Sequence, residues 1–170
     1  MLAVARQDTG PSLPIHYTRA SIEELPLKAG SLDLVISGLA LHYVSNFAAV
    51  VANVATALLP GGSFIFSVEH PILTCYNRQW HHADDGSRSH WPVDDYLQEG
   101  SRLVSWMGLD RIPRHHRTVA GYINPLIEGG LSIRRLLEPS PDGSSIAAHP
   151  RLRDQLRRPP FLVVRADKPR

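Results

Sequence analysis

Polar residues follow two apolar runs of the sequence at the points where those runs end. The first run, residues 32–36, is followed by Ser37 and Gly38, and a second is followed by Glu69 and His70. Nearly unbroken apolar runs are typical of strands buried in a parallel sheet, where ligands bind beyond the carboxyl ends of the strands. The sequence therefore predicts a binding crevice between these two polar pairs.

Three histidines are candidates for chemistry at this crevice. His70 lies at a predicted strand end, where an imidazole that titrates near neutrality suits proton transfer; the alternative is a packed structural histidine. His116 has the same two alternatives. His42 is either a contact of a bound ligand or an ordinary histidine on a helix face. The nine histidines show no helical H-x-x-x-H spacing and have no cysteine partner set, so no metal site is predicted.

Aromatic residues are concentrated in the His-rich segment 72–116, which is too long for an ordinary loop. We predict that this segment is an insertion, or lid, over the crevice, with β-hairpins around residues 80–91 and 102–116. Its tryptophans, Trp80 and Trp106 among them, are either the small core of the lid or part of a substrate site.

The elements that position these residues follow from periodicity and turn signals. An apolar stripe of period 3.6 from Phe47 to Leu58 predicts the clearest helix. Ser21 and Glu24 have the spacing of a capping box, so a single helical turn is predicted to start there. Further helices are predicted at residues 1–7, 118–128 and 152–156, strands at 15–19, 32–37, 63–68, 131–138 and 161–166, and a loop at 139–150. Strands that alternate with helices indicate an α/β fold with a doubly wound sheet.

The composition is that of one ordinary globular domain. The chain has 170 residues, of which 43% are hydrophobic and 20% charged, and its net charge of +2 indicates no nucleic-acid partner. No apolar run reaches the roughly 18 residues of a membrane span, and no signal peptide is recognisable. The single cysteine, Cys75, cannot form an intramolecular disulfide, which favours a reducing compartment such as the cytoplasm. Ser37 lacks the G-x-S-x-G elbow of a hydrolase nucleophile.

Several short segments, taken in their order and spacing, resemble one enzyme family. These segments are 20–26 (ASIEELP), 31–37 (SLDLVIS), 41–44 (LHYV), 58–64 (LLPGGSF), 67–72 (SVEHPI), 116–118 (HRT) and 138–139 (EP). With them, most of the chain resembles a class I S-adenosylmethionine-dependent methyltransferase of the small-molecule "type 11" kind. The resemblance implies S-adenosylmethionine as the cofactor and a small, partly apolar molecule as the methyl acceptor. It implies neither a nucleic acid nor a membrane as partner, and it leaves the oligomeric state open.

The resemblance also implies roles for residues of this sequence. Cofactor contacts are expected from the turn after Arg19, at the adenine, and from the end of the central strand, at the methionine end; they are Ala20, Ser21, Ile22, Ser37, Gly38, Leu39 and His42. Residues that face the acceptor molecule, or form its lid, are expected to be Tyr43, Glu69, Trp80, Trp106 and Arg117. His70 and His116 are the candidates for catalytic proton transfer.

The start of the chain departs from the family pattern. The family's opening strand, its Gly-rich turn and the acidic residue that ends its second strand have no counterpart here. Residues 1–6 match the helix after that second strand, so the chain is expected to begin late by about one βαβ unit, roughly 30 residues. In the family's strand order 3-2-1-4-5-7-6, residues 32–37 would then form an exposed edge strand.

We therefore expect a single methyltransferase-like domain over residues 1–170, with an incomplete Rossmann-like sheet that lacks its first two strands. Such a chain is expected to bind the cofactor weakly or not at all by itself. Two alternatives stay open: a non-catalytic remnant or interaction module of this fold, and a nucleotide-binding α/β protein of another class.

Overall fold

The fold is built on one mixed four-stranded sheet. A computed structural model describes residues 2–9, 13–75, 79–106 and 108–170, with Trp106 described by its backbone only. Numbered along the chain, the strands of this sheet are β1 (Leu32–Gly38), β2 (Leu58–Glu69), β7 (Ser132–Leu137) and β8 (Phe161–Asp167). Their order is β1-β2-β8-β7, with β1 parallel to β2 and β8 antiparallel to both β2 and β7. This order matches the last four positions of the expected family sheet, and the α/β prediction is confirmed.

Two helices cover one face of the sheet. Helix α2 (Phe47–Ala57) follows β1, and helix α4 (Val119–Glu128) precedes β7. The predicted apolar stripe of α2 is buried, and the ring of Phe47 lies 5.7 Å from that of Phe66 on β2 and 5.2 Å from that of Tyr122 on α4. Both helices begin at side-chain caps, because Asn46 accepts a hydrogen bond from Ala49 N and Thr118 accepts one from Gly121 N. These caps fix where each helix begins next to the strand ends.

The segment between β2 and α4 forms two β-hairpins, at the positions that the sequence predicts. A short helix α3 (Pro71–Thr74) leads to the hairpin of β3 (His81–His82) and β4 (Arg88–His90). The second hairpin joins β5 (Gly100–Trp106) to β6 (Leu109–His116). In the described ranges, no helix has both the length and the apolar character needed to cross a bilayer.

Three local predictions are wrong. Residues 15–19 are not a strand, because a β-prone sequence gains its ladder only from a neighbour and none of the described strands pairs with this segment. The helical turn predicted after Ser21 does form, as the 3₁₀ turn Ile22–Glu24, but the capping box is wrong because the side chain of Ser21 makes no capping bond to it. The predicted loop at 139–150 contains helix α5 (Gly143–Ala148), because Asp142 caps it by accepting from Ser145 N.

Strand β1 is an edge strand in the described part of the chain, as the departure from the family pattern predicts. Its only strand partner there is β2. Leu34 and Ile36 point to the same face and are 48% and 68% exposed, so the apolar run is not covered on both faces. An apolar strand with an open edge and a bare face is unusual in a folded protein. The remaining described elements are α1 (Leu2–Asp8) and 3₁₀ turns at Leu41–Tyr43 and Pro150–Leu156.

Candidate active site

The carboxyl end of β1 lies between two cavities, separated by a sharp turn at Leu39. Leu39 has φ of +50°, which is rare for a residue with a branched side chain. Its N–H donates to the carbonyl oxygen of Ser67 on β2 at 3.0 Å and lies 3.2 Å from the Ser67 hydroxyl. These bonds hold the strained turn in place, and the chain therefore leaves β1 between the two cavities.

The first cavity, which we call the edge cavity, has a volume of about 350 Å³ and lies between β1, α2 and the 3₁₀ turn Ile22–Glu24. It brings together Ile22, Ser37 and Gly38, three of the seven residues predicted to contact the cofactor. Most of its other lining residues are apolar: Leu25, Leu27, Leu32, Val35, Ile36, Ala40, Leu41, Val50, Val54 and Phe64, with Asn53 as the remaining polar one. Ala20 and Ser21 precede this lining and are exposed.

The second cavity, which we call the hairpin cavity, has a volume of about 370 Å³ and lies where the ends of β1 and β2 meet the β5–β6 hairpin. It brings together Leu39, His42, Tyr43 and Glu69, four residues that the sequence assigns to cofactor or acceptor. The hairpin supplies Val104, Ser105, Ile112 and Arg114, and the start of β8 supplies Phe161. The cavity is thus enclosed by four separate parts of the chain.

His42 is a buried wall of the hairpin cavity. It is 2% exposed, and its Nδ1 accepts a long hydrogen bond, 3.5 Å, from the backbone N–H of Glu69. Burial lowers the pKa of His42, the carboxylate of Glu69 opposes that change, and the charge of Arg114 adds to it. The ring is therefore neutral near pH 7, and because Nδ1 is the acceptor, the proton lies on Nε2.

Glu69 and Arg114 form an ion pair at the hairpin cavity. Arg114 Nη1 donates to Glu69 Oε2, and the exposed fractions of the two side chains are 12% for Arg114 and 31% for Glu69. Arg114 is not among the site residues predicted from the sequence. Its position in the predicted second hairpin could have indicated a site residue. Arg114 lies two residues after Ile112 and two before the candidate His116, and residues two apart on a strand share one face.

The two predicted catalytic histidines lie outside the lining of both cavities. His70 caps helix α3: its Nδ1 accepts from Ile72 N at 3.2 Å, and its Nε2 lies 2.8 Å from Glu138 Oε1. His116 is fully buried, with Nδ1 2.8 Å from the Thr74 hydroxyl and Nε2 2.8 Å from the carbonyl oxygen of Tyr96.

Both ring nitrogens of each histidine therefore have partners. Burial lowers the pKa of His70, opposed by Glu138, and burial also lowers the pKa of His116, opposed chiefly by the Tyr96 carbonyl. In this arrangement the two rings connect the helix α3 region to its neighbours, and a catalytic role for either stays a prediction.

The other predicted acceptor contacts are dispersed. Arg117 is 8% exposed, and its Nη2 donates to the carbonyl oxygens of Val44 at 2.6 Å and Ser45 at 2.8 Å, outside both cavities. Trp80 packs edge-to-face against Trp91, with ring centroids 5.5 Å apart, and lines a third, open cavity of about 630 Å³ at the first hairpin. The side chain of Trp106 lies outside the described residues.

Glu23 is a structural residue that the sequence analysis did not single out. Its Oε1 accepts hydrogen bonds from the backbone N–H groups of Ser45 and Asn46, both at 2.9 Å. Hydrogen bonds from Ser45 and Asn46 lower the pKa of Glu23. A carboxylate at the start of helix α2 is favourably placed for the helix dipole, so Glu23 fixes the turn that carries Ile22 against this helix.

The edge cavity brings together residues that the resemblance assigns to the two ends of the cofactor. Ile22, assigned to the adenine, and Ser37 and Gly38, assigned to the methionine end, line the same space. None of the described lining residues is acidic, so the ribose hydroxyls meet no carboxylate there, and the Asn53 amide already donates to the Leu25 carbonyl at 2.9 Å. The described lining of this cavity therefore includes residues assigned to both ends of the cofactor and no carboxylate for its ribose.

Two comparisons with known proteins agree on the family. The family model described as "Methyltransferase domain" matches residues 1–66. An S-adenosylmethionine-dependent methyltransferase from Mesorhizobium loti, solved as a crystal structure, is 43% identical with a TM-score of 0.90, over 99% of this chain and 76% of its own. A crystal structure from Listeria monocytogenes, described as a candidate enzyme of the same kind, is 36% identical with a TM-score of 0.89, over 100% of this chain and 76% of its own.

A curated relative from Haemophilus influenzae has no assigned function. It is 31% identical over 155 residues, which is 90% of this chain. The chain spans 59% of the length of this relative. At these levels of identity, coverage and structural agreement, the chain belongs to the class I S-adenosylmethionine-dependent methyltransferases, with S-adenosylmethionine as the cofactor.

Proposed function

We propose that the chain transfers a methyl group from S-adenosylmethionine to a small, partly apolar molecule, with the cofactor in the edge cavity and the acceptor in the hairpin cavity. The observation that carries this proposal is the arrangement at the end of β1. Ser37 and Gly38 line one cavity, and one residue later Leu39 lines the other. A group bound at the end of β1 can therefore be brought into line with a molecule held under the hairpin.

The bound cofactor supplies an electrophilic methyl group on a sulfonium sulfur. The residues of this chain have to hold the acceptor, orient its attacking atom and keep water out. Apolar side chains from Val104, Ile112 and Phe161 line the hairpin cavity and can enclose an apolar body of the acceptor. Methyl transfer needs alignment and desolvation more than covalent assistance, so a cavity of this type is sufficient for the reaction.

A second candidate function, a non-catalytic interaction module, is supported by a different observation. Strand β1 has an open edge in the described part of the chain, with Leu34 and Ile36 exposed beside it. Open apolar edges are sites of strand addition by another polypeptide. The same open edge leaves the cofactor with one described wall, so we expect its affinity for this chain alone to be weaker than micromolar.

Two measurements on the 170-residue chain test these proposals. The first incubates it with methyl-labelled S-adenosylmethionine at millimolar concentration and a small-molecule extract, and follows the label into compounds below about 1 kDa. We expect a labelled product that is lost in Ser37→Leu, which fills the edge cavity, and retained in the exposed control Ser144→Leu. The second is calorimetry with S-adenosylmethionine: micromolar or tighter binding refutes the expected weak affinity. Absence of both labelling and binding favours the interaction module.

A further inference from the structure

Glu69 presents to the hairpin cavity a hydrogen-bond acceptor that none of the described residues occupies. Its Oε2 accepts from Arg114 Nη1, whereas none of the described residues donates to its Oε1. The side chain is 31% exposed and lines the cavity, so Oε1 is open to a bound molecule. A carboxylate oxygen in such a site accepts hydrogen bonds from O–H or N–H groups and cannot donate them while it is ionised.

Arg114 holds that carboxylate in one orientation. Its side chain is 12% exposed, and its Nη2 lies 3.5 Å from the Leu73 carbonyl oxygen, so the guanidinium is confined between β2 and helix α3. The Nε of Arg114 is buried without a partner in the described residues. The charges of Glu69 and Arg114 cancel, so the pair attracts neither free cations nor free anions strongly and favours a neutral donor.

The remaining walls specify the body of the ligand. Val104, Ile112 and Phe161 are apolar, and Tyr43 adds an aromatic ring next to His42, with ring centroids 4.3 Å apart. His42 is held neutral with its proton on Nε2 by the backbone N–H of Glu69. The cavity therefore combines one fixed acceptor with apolar and aromatic surfaces, which is complementary to a neutral aromatic molecule that carries one O–H or N–H.

We infer that the acceptor substrate is a neutral phenol-like or azole-like molecule whose nucleophilic O–H or N–H donates to Glu69 Oε1, and that Arg114 is the residue that positions Glu69. This inference rests on the proposed function. As the O–H or N–H proton leaves, its bonding electron pair stays on the oxygen or nitrogen. An electron pair on that atom then forms the bond to the methyl carbon while the S–CH₃ bond breaks, and the pair of the broken bond stays on sulfur. The proton of the acceptor passes to Glu69 and then to water, so that a neutral methylated product leaves.

Phenol and anisole are matched probes because they differ in whether the oxygen carries a proton or a methyl group. Ligand-observed NMR titrations on the full chain, without cofactor, give the ratio of their affinities. We expect phenol to bind about tenfold more tightly than anisole, as a hydrogen bond to a charged group permits. Equal affinities, no detectable phenol binding at tens of millimolar, or tighter binding of benzoate than of phenol each overturn the inference.

Variants test the roles of the two residues through that ratio, and an anisole affinity equal to that of the parent chain shows that the cavity itself is intact. The double variant Glu69→Met with Arg114→Met removes both charges and the acceptor oxygens together and should lower the phenol preference to about twofold or less. A preference that survives in it overturns the role of Glu69. The double variant Glu24→Met with Arg135→Met, at exposed positions, is the matched control.

Arg114→Met alone tests positioning. In Arg114→Met the phenol-to-anisole affinity ratio should fall to about threefold. In Arg114→Lys most of the parent ratio should be kept, because lysine keeps the positive charge. An unchanged ratio in Arg114→Met overturns the positioning role. Methyl transfer is measured separately: loss of transfer with an intact phenol preference contradicts the proposed function alone, and transfer without the preference contradicts this inference alone.

Discussion

Substitution of Arg117 by methionine separates a structural role from a substrate contact. In the structure, Arg117 Nη2 donates to the carbonyl oxygens of Val44 and Ser45 at 2.6 and 2.8 Å, next to the start of helix α2. Its guanidinium lies 5.6 Å from the ring of Phe47 and 5.8 Å from that of Tyr122. Methionine keeps the packing of the aliphatic stem and removes the two hydrogen bonds.

The expected loss is worked from those contacts. Each charge-assisted hydrogen bond contributes about 1.5–3 kcal/mol, and the buried Val44 carbonyl is left without a donor, whereas the exposed Ser45 can bind water. The substitution also removes a buried guanidinium charge, which offsets part of this loss. The Nη1 of Arg117 has no partner in the described residues, so its burial is itself unfavourable. We expect a net loss of about 3 kcal/mol in the free energy of unfolding, or about 6–12 °C in melting temperature.

Urea unfolding followed by far-UV circular dichroism measures this loss, and the exposed Arg135→Met is the matched control, expected within about 0.5 kcal/mol of the parent chain. The phenol-to-anisole affinity ratio of Arg117→Met should be unchanged, because Arg117 lines neither cavity. A stability loss below about 1 kcal/mol together with a lost ratio would refute this reasoning and place Arg117 at the acceptor.

Three further predictions concern other parts of the molecule. Gly62→Ala should lower the free energy of unfolding by about 1–3 kcal/mol in the same assay, because the added Cβ would lie 2.9 Å from the Leu59 carbonyl oxygen. In the control Gly143→Ala the added Cβ has no atom within 4 Å, so this substitution should not destabilise the chain. The melting temperature should fall as the pH drops below about 6.5. Burial lowers the pKa of His42 and His116 in the folded chain, so these imidazoles are protonated at a higher pH in the unfolded chain than in the folded one. A constant melting temperature between pH 7.5 and 5.5 would contradict this. Arg158→Gln should speed limited proteolysis of the β3–β4 hairpin, since the Arg158 guanidinium lies 4.2 Å from the Trp91 ring; an unchanged cleavage rate would show that this contact does not hold the hairpin.

Local patterns predicted most of the fold, and non-local contacts explain where they failed. The stripe from Phe47 to Leu58 has a clear 3.6 period, and the helix forms there because its apolar face has a sheet to cover. Residues 15–19 carry a β-prone pattern, yet a strand needs a partner, and none of the described strands pairs with this segment. Helix α5 lies in the predicted loop because its cap, Asp142, is part of the sequence Pro-Asp-Gly (141–143), which is also typical of a turn.

The site shows the same division between local and non-local information. Glu69 was predicted because it ends a strand, whereas its partner Arg114 is 45 residues further along the chain and meets it only when the second hairpin folds back over β2. His70 and His116 were predicted from their positions near strand ends and motif segments. The structure gives both nitrogens of each ring a partner, and this depends on Glu138, Thr74 and Tyr96, which no spacing rule connects to them.

The two cavities depend on different parts of the molecule, so their properties should be separable. The hairpin cavity is enclosed by the end of β1, the end of β2, the β5–β6 hairpin and the start of β8, all of which this chain supplies. The edge cavity has β1 as one wall, and the outer edge of β1 is open in the described part of the chain. We therefore expect this chain to recognise the acceptor by itself. The affinity for the cofactor, in contrast, should rise when a further strand pairs with the edge of β1, because that strand would form the second wall of the edge cavity.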